Sequence, residues 1–505
     1  MEGLQWNFEN SYAKLSEQLF SKTLPEKVAK PDIVLWNSEL AKELGLGSKG
    51  FLEDMPSDLV VNLTDVFSGN IIPKGAEPIA QAYSGHQFGH YNVLGDGRAV
   101  LLGEHIDPNG LRNDIQLKGS GVTKYSRRGD GRATLYSMLR EYLISESMHG
   151  LGISTTRALS VVATGEQVWR EKVQEGGVLC RVASSHIRVG TFEFVRRNQS
   201  TEALKLFTDY VIDRHYPELS KANNPYLSFL NRVIEEQVKT VTNWLRVGFI
   251  HGVMNTDNTS ISGETIDYGP CAFMNVYNPL TVFSSIDRGG RYAFGNQDKI
   301  LMWNIARFAE CLLPLIDEDQ DKSLDMAQKA IASFPELFMK SYMNMMAFKL
   351  GLIKLQEDSN EDVELTKTRI IGEVLDYFET QKLDYTNGFL KLGKYVEDTI
   401  SGQTGMISKN ERLKIEQHLP LWIKQLEDEV LESSLRLMNL YNPQFIPRNH
   451  MVEKALLLAS EHEDYNLFND LLSIMKTPYK KQLGMEQFQN PPEGGDDGYK
   501  TFCGT

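Results

Sequence analysis

The sequence predicts an α+β protein in which a small, sheet-rich part precedes a larger helical part. Short apolar runs bounded by Gly, Asn and Asp dominate residues 76–200, as is typical of antiparallel strands. Beyond residue 200, apolar residues recur with the 3.6-residue period of amphipathic helices. The 505-residue chain carries 53 Lys and Arg against 67 Asp and Glu, a formal net charge of −14. This acidic balance argues against a dedicated DNA-binding protein.

The chain divides into four parts. Residues 1–75 mix short amphipathic pieces with turn signals and predict an extension packed on the lobes. Residues 76–200 predict a sheet-rich lobe with one helix at 133–148 and strands at 98–106, 113–121, 178–184 and 186–195. Residues 201–480 predict a helical lobe with helices within 233–250, 298–350, 362–400, 407–440 and 451–475. The polar, Gly-rich residues 481–505 predict a flexible tail.

Composition and cysteine usage indicate a cytoplasmic protein that binds neither membranes nor nucleic acid. No apolar run approaches the roughly 18 residues that a membrane-spanning helix needs. The N-terminal text has no signal-peptide core and no Arg-rich transit composition. The cysteines lack metal-binding spacing and are too few for a secreted disulfide scaffold: Cys180, Cys271, Cys311 and Cys503.

Two glycines one residue apart, Gly95 and Gly97, precede a predicted strand and are followed by Arg98. Because glycine has no Cβ, such a turn lets the backbone approach a phosphate closely. No third glycine opens a helix, so the pair is not a Rossmann fingerprint. A hairpin turn is the simpler interpretation of the pair taken alone.

A lysine inside apolar strand text, Lys118, must reach water or an anion, because an unpaired buried ammonium is costly. A nucleotide phosphate is a natural partner, and Glu141 lies off the apolar stripe of the following helix, where it is free to pair with Lys118. The order of Gly-rich loop, strand Lys and helix Glu matches the small lobe of a protein kinase. The alternative is a surface Lys beside a surface Glu.

The segment around Lys118 is locally basic. Residues 112–140 hold seven Lys and Arg against two Asp, within a chain that is acidic as a whole. Such a cluster suits a polyanionic small ligand, and Arg181 and Arg188 would add donors from the next strand text. The alternative is a solvated face that compensates acidic neighbours.

The strongest motif is HGVMNTDNTSISGETIDYGP at 251–270, which follows a long predicted helix. Asn258 and Asp267 would supply hard oxygen ligands for Mg²⁺ that bridges nucleotide phosphates. In small-molecule kinases the residue two after the His is an Asp that accepts the substrate proton, but this chain has Val253 there. Asp257 is the available carboxylate. Two interpretations follow: nucleotide binding without chemistry, or different chemistry with a relocated base.

Four long blocks of this text resemble the selenoprotein O (SelO/YdiU) family: AYSGHQFGHYNVLGDGRAVLLGE (82–104), the run from Gln116 to Val162, RVASSHIRVGTFEF (181–194) and the motif from His251 through Met274. The resemblance implies a protein-kinase-like, two-lobe fold that binds ATP in an inverted orientation. It implies an adenylyltransferase, which transfers AMP to Ser, Thr or Tyr hydroxyls of proteins, itself included, and releases pyrophosphate.

The resemblance also implies residue roles. Asp257 would accept the proton, Asn258 and Asp267 would hold Mg²⁺ or Mn²⁺, and Glu141 would pair with Lys118. The nucleotide-binding positions would be Gly95, Gly97, Arg98, Lys118, Asp130, Gly131, Arg181 and Arg188. Two alternatives stay open: a catalytically silent, ATP-binding pseudokinase scaffold, and a kinase that transfers the γ-phosphoryl group.

The same resemblance draws attention to Cys503. Eukaryotic members of the family place selenocysteine third from the C-terminus, which is the position of Cys503 in this chain. Cys271 follows Asp267 by four residues, and we put forward a redox-active disulfide between Cys271 and Cys503. The alternative is two unpaired thiols in a reducing cytosol.

Overall fold

The computed structural model describes residues 4–47, 55–357, 361–402 and 405–502. A sheet-rich N-terminal region is followed by a helical C-terminal region, which confirms the predicted order. The strands are β1 Phe20–Lys22, β2 Asp32–Trp36, β3 Ile79–Gln81, β4 Ser84–Gln87, β5 His90–Val93, β6 Ala99–Ile106, β7 Arg112–Lys118, β8 Arg157–Trp169, β9 Val173–Ala183, β10 Phe249–Ile250 and β11 Ala272–Phe273.

Three of the described helices lie within the first 150 residues, and the others follow from residue 189 onward. They are α1 Ser38–Glu43, α2 Ser57–Ser68, α3 Leu135–Gly150, α4 Val189–Asn198, α5 Thr201–His215, α6 Pro225–Arg246, α7 Gln297–Ile316, α8 Gln320–Ala332, α9 Phe334–Lys349, α10 Lys354–Glu357, α11 Glu361–Thr380, α12 Tyr385–Ser401, α13 Lys409–His418, α14 Pro420–Leu426, α15 Leu431–Tyr441, α16 Asn449–His462 and α17 Asn466–Met475.

The main sheet has seven antiparallel strands in the order β1-β3-β6-β7-β9-β8-β2. The N-terminal extension supplies both edge strands, since β1 pairs with β3 and β2 pairs with β8. Ile33 and Leu35 of β2 are both buried, and a register shift between them places them in different hydrophobic cores. The extension is therefore part of the sheet, whereas its sequence indicates only packing on the surface.

One predicted strand is wrong. The segment 186–195 alternates apolar and polar residues, yet most of it forms helix α4. Val189, Phe192 and Val195 lie three residues apart and are all buried, a spacing that shares one face of a helix but alternates between the two faces of a strand. The Thr191 hydroxyl accepts the backbone N–H of Arg188 at 3.1 Å, which closes the first turn. Strand β9 pairs instead with β7 and with the 13-residue β8, which the sequence pattern does not single out.

Helix α3 joins the two regions, because it packs on β8 and β9 on one side and on α16 and α17 on the other. One hydrophobic core runs through this junction into the helical region, where the predicted stripe of α6 is buried at Val233, Ile234, Val238, Val241 and Trp244. A second, smaller core lies between the sheet and helices α1 and α2. Within the described residues, no helix is long and apolar enough to cross a bilayer.

The C-terminal segment, for which we expect flexibility, is hydrogen bonded to the body as far as the structure describes it. The backbone N–H of Thr501 donates to Phe283, and its hydroxyl donates to the Pro270 carbonyl at 2.7 Å. The Asp496 carboxylate accepts two hydrogen bonds from Asn275. The segment therefore ends beside the 251–270 motif.

The cysteine pair is described only in part. Cys271 is buried, and its thiol donates to the Tyr268 carbonyl at 3.3 Å. Burial raises the pKa of Cys271 to about 11. Cys503 lies outside the described residues, so the disulfide stays a prediction. The other two thiols, Cys180 and Cys311, are free and buried.

Candidate nucleotide-binding and catalytic site

Two neighbouring strands and a helix bring the predicted phosphate-binding cations together. Lys118 ends β7, and Arg181 on β9 pairs in register with Gln116, two residues before Lys118. Side chains two residues apart share one face of a sheet, so both cations project to the same side. Lys118 Nζ lies 2.6 Å from Glu141 Oε2 on α3, and Arg181 Nη1 lies 3.1 Å from Glu141 Oε1. Glu141 thus holds both cations.

The same cations meet Asp267, which comes from the 251–270 motif. Asp267 Oδ1 lies 2.6 Å from Lys118 Nζ and 2.8 Å from Arg181 Nη1. Arg188, at the start of α4, places Nη1 3.6 Å from Asp267 Oδ2. Burial opposes ionisation, but these three cations hold the pKa of Asp267 well below its usual range. Asp267 therefore stays charged although its side chain is largely shielded from water.

Arg188 connects this cluster to the predicted base. Its Nη1 donates to the backbone carbonyl of Asp257 at 3.0 Å, and its guanidinium lies over the Tyr83 ring at 4.4 Å. Its Nε is buried and has no hydrogen-bond partner among the described residues. Leaving a buried donor unpaired costs about 1–3 kcal/mol, so an incoming acceptor such as a phosphate oxygen is favoured here.

Asp257 lies in the short 3-10 turn Thr256–Asn258 and is buried. Its Oδ1 has no hydrogen-bond partner among the described residues, and burial raises the pKa of Asp257 to about 6. Gly85 of β4 packs directly on this carboxylate, where a Cβ would overlap Oδ1. A buried carboxylate with an unengaged oxygen and a raised pKa suits a proton acceptor.

The predicted metal ligands are close to the base in sequence and fit a divalent cation by their chemistry. The amide nitrogen of Asn258 donates to Val253 at 3.0 Å, which leaves the amide oxygen for another partner. Asp267 has the left-handed φ of 64°, a strained backbone of the kind found at functional sites. In the described ranges, no three His, Cys, Asp or Glu side chains form a metal-binding group. Two oxygen ligands suit a cation that is shared with phosphate oxygens.

Comparison with known proteins decides the family. The model of the family described as "Protein adenylyltransferase SelO" matches residues 2–476. The chain belongs to the SelO family. The "Protein nucleotidyltransferase YdiU" of Nitrosococcus oceani is 48% identical over 506 residues, which cover 100% of this chain and 98% of that protein. The protein of the same name from Anoxybacillus flavithermus is 49% identical, with 99% of each chain covered.

The glycine loop of this SelO family member packs inside the protein. A Cβ at Gly95 would overlap the ring of Tyr125, and the Gly97 carbonyl accepts from Ser126. Between the glycines, buried Asp96 lies 4.0 Å from Arg188 and accepts from Gln116. The glycines thus allow close packing of 123–126, and Asp96 links the loop to the cation cluster. Arg98, also a predicted nucleotide contact, follows this loop, and its side chain is half-buried.

Asp130 and Gly131 are held on another part of the surface. The Asp130 carboxylate accepts two hydrogen bonds from Arg170, at 2.8 and 3.0 Å. These hydrogen bonds and the charge of Arg170 lower the pKa of Asp130. A Cβ at Gly131 would overlap the backbone of Gly121. The structure therefore does not bring these two predicted positions into contact with Asp267.

Most of the basic segment serves other contacts. Arg112 pairs with Glu9 and Glu104, Arg132 with Glu26 and Glu166, and Arg140 with Glu453. For Arg112 and Arg132 the compensation of acidic neighbours is the better interpretation. Arg140 is buried and also donates to the backbone carbonyls of Gly269 and Cys271. Lys118 is the member of the segment that enters the Asp267 cluster, together with Arg181 and Arg188 from outside it.

A buried group behind Asp257 was missed at the level of sequence. Thr256 Oγ1 donates to Glu193 Oε2 at 2.7 Å and accepts the His86 backbone N–H at 2.8 Å. The His86 ring is also hydrogen bonded to Glu193. Burial raises the pKa of Glu193 to about 7. Residues 86, 193 and 256 are far apart in the sequence and share no local pattern, so the sequence does not group them. Gln116 was not predicted either, but its position two residues before Lys118 on the same strand face was a signal that could have placed it beside the cations.

Proposed function

We propose that this chain is a protein adenylyltransferase, which transfers AMP from ATP to Ser, Thr or Tyr hydroxyls of proteins and releases pyrophosphate. The observation that carries the proposal is the convergence of Lys118, Arg181 and Arg188 beside a buried carboxylate, Asp257. The family description and the names of the relatives support nucleotidyl transfer.

We further propose that the two regions form the lobes of a protein-kinase-like fold. Residues 76–200 are the small lobe, 201–480 the helical lobe with the catalytic segment at 251–270, and 1–75 an extension. The contact of a strand Lys with a helix Glu, Lys118 with Glu141, supports this assignment, because protein kinases use such a pair to position ATP.

In the proposed complex, ATP is inverted relative to a kinase. Its β- and γ-phosphates bind Lys118, Arg181 and Arg188, so that the α-phosphorus faces Asp257. The cations then neutralise the charge that develops on departing pyrophosphate. When phosphates replace Asp267 as their partner, Lys118 and Arg181 keep their contacts with Glu141 and stay in place. The nucleotide contacts of Gly95, Gly97, Arg98, Asp130 and Gly131 rest on the family resemblance.

Asp257 accepts the proton of the acceptor hydroxyl as the oxygen attacks the α-phosphorus. The Asp257 carboxylate takes this proton, and Gly85, which covers Oδ1, limits access of water to that side of the group. Asn258 and Asp267 would hold Mg²⁺ or Mn²⁺, which supplies charge neutralisation at phosphate oxygens when bound. Arg188 fixes the Asp257 backbone and thereby the direction of the carboxylate.

The test uses ATP labelled on either the α- or the γ-phosphate, with Mg²⁺ or Mn²⁺ and a mixture of soluble proteins as acceptors. We expect label from the α-position only, on this chain or on the added proteins, and none with Asp267→Ala. Label from the γ-position alone would establish the kinase instead. Nucleotide-induced thermal stabilisation without an adduct would indicate the silent scaffold.

A further inference from the structure

A second group of arginines lies next to the proposed site but outside it. The His86 ring lies between Tyr91 and Trp303, with centroid distances of 5.5 and 5.3 Å. The guanidinium of Arg197 lies 3.8 Å from the centroid of Tyr91. Those of Arg291 and Arg307 each lie 5.2 Å from the centroid of Trp303. We call Arg197, Arg291 and Arg307 the arginine surface.

The arginine surface keeps an excess of positive charge in an acidic protein. Arg197 is exposed, and Arg291 and Arg307 are half-buried. Glu310 pairs with Arg307 at 2.6 Å. The other acidic groups face inward: Glu193 is buried behind Thr256, and the Asp287 carboxylate accepts the backbone N–H groups of Arg291 and Tyr292.

Stacking prepares these arginines for one kind of ligand. An aromatic ring lies against each guanidinium, whose donors form the planar fork that matches a carboxylate. Nε of Arg291 and of Arg307 is buried without a hydrogen-bond partner in the described part of the chain. Side chains already held by stacking lose little conformational entropy when they bind.

Strand β4 connects the arginine surface to the proposed base. Successive residues of a strand face opposite sides, so Gly85 packs on Asp257 while His86 faces Tyr91 and Trp303. On the other flank, Arg291 lies 5.8 Å from the Tyr292 ring, whose hydroxyl donates to Asn255 at 2.6 Å. An extended peptide advances about 3.3 Å per residue. A side chain a few residues from the acceptor hydroxyl therefore reaches this surface.

We propose that the arginine surface binds an acidic segment of the acceptor protein, rich in Asp or Glu and a few residues from the modified hydroxyl. This inference rests on the proposed adenylyl transfer and names the class of acceptor that it favours. Charge complementarity between such a segment and the three guanidiniums sets the register of the hydroxyl at Asp257 and raises the rate of encounter.

The test compares two synthetic peptides that share one Ser and differ only in flanking Glu or Gln residues. Binding is measured by fluorescence anisotropy of dye-labelled peptide, and transfer by label from α-labelled ATP. We expect binding and kcat/KM for the Glu peptide to exceed those for the Gln peptide by about tenfold, the effect of one or two charge-assisted hydrogen bonds. Arg291→Glu and Arg197→Glu should remove this preference, and Arg436→Glu, an exposed change on α15, should keep it.

The outcomes separate the two claims. Equal binding of both peptides to the wild-type chain overturns the acidic-segment inference, whatever the transfer assay gives. A preference that survives in both Arg291→Glu and Arg197→Glu also overturns it. Label on neither peptide nor enzyme, together with a preference that these variants abolish, overturns the proposed adenylyl transfer and leaves the arginine surface as a binding site. Thermal denaturation measured without peptide checks that each variant is folded.

Discussion

Three carboxylates in and around the site differ in charge because they differ in their neighbours. Burial raises the pKa of Asp257 to about 6 and of Glu193 to about 7. Desolvation also acts on the half-buried Asp267, but Lys118, Arg181 and Arg188 hold its pKa well below the usual range. Direct contact with several cations outweighs desolvation, whereas more distant charges do not. The site thus separates a permanently charged Asp267 from a carboxylate that can take up a proton.

Glu193 allows a test of how strongly the segment behind Asp257 matters. Glu193→Ala removes the acceptor of the Thr256 hydroxyl and the partner of the His86 ring, so we expect the 255–257 segment to shift. A displacement of about 1 Å can cost on the order of 100-fold in turnover. Glu193→Gln keeps an oxygen for Thr256 and should retain most of the activity. The measurement is kcat and KM for ATP in both variants.

Thermal denaturation of the same two variants separates positioning from unfolding. A positioning role predicts a fall in kcat for Glu193→Ala at temperatures where that variant is still fully folded, with rescue in Glu193→Gln. Wild-type turnover in Glu193→Ala would show that the segment holds its place without this carboxylate.

At the scale of elements, the hairpin of β4 and β5 forms its own two-stranded sheet and covers the proposed base. Gly85 contacts Asp257 at the one place where a methyl group would overlap the carboxylate. We expect Gly85→Ala to push the hairpin and Asp257 apart and to lower the transfer rate at least tenfold, by the same sensitivity to about 1 Å of displacement. The main sheet is not touched, so the midpoint of thermal unfolding should change little.

The matched control for Gly85→Ala is Gly372→Ala in α11. A methyl group at position 372 meets nothing within 4 Å, and alanine is the better helix former. We expect this variant to be fully active and slightly more stable. Full transfer activity in Gly85→Ala would show that the contact between the hairpin and Asp257 does not matter for transfer.

How much of each element the sequence predicts depends on the distance between its partners. Strands β6 and β7 are close in the chain, and the helices carry their own period, so local patterns find them. Strand β2 pairs with β8, with Asp32 opposite Ala163, and no local signal announces such a pairing. Helix α4 reads as a strand because Ile187 and Val189, like Phe192 and Phe194, are two residues apart, and such pairs indicate a strand in so short a segment.

The residues of the candidate site differ in the same way: some are predictable from their local sequence, and others depend on partners that are distant in the chain. Lys118, Glu141 and the 251–270 motif were predictable because each stands in a distinctive local context, and the structure brings Lys118, Glu141 and Asp267 into contact. The cover of Asp257 by Gly85 and its support by Glu193 depend on long-range folding and leave no trace in local spacing.

At the scale of the whole molecule, a buried lysine, Lys349, should make the free energy of unfolding depend on pH. Lys349 Nζ donates to the Arg246 carbonyl at 2.8 Å and lies 4.0 Å from the centroid of the Phe389 ring. Burial, assisted by the charge of Arg246, places the pKa of Lys349 well below its ordinary value. Between the folded and unfolded pKa values the unfolded chain binds the extra proton, so the free energy of unfolding rises with pH in that window.

We therefore expect Lys349→Met to weaken the rise of the unfolding free energy between neutral and alkaline pH. Urea unfolding at several pH values from about 7 to about 10, the window below the ordinary lysine pKa, measures it. Lys340→Met, an exposed change on the same helix α9, should leave the pH profile as in the wild-type chain. An unchanged profile in Lys349→Met would mean that this lysine stays protonated in the folded state.

The direction of the triphosphate is the central claim, and a crystal structure with a non-hydrolysable ATP analogue and Mg²⁺ tests it most directly. We predict that the β- and γ-phosphates bind to Lys118, Arg181 and Arg188, and that the α-phosphorus is the phosphorus nearest to the Asp257 carboxylate. A γ-phosphate facing Asp257, or a nucleotide bound away from these three cations, would contradict it.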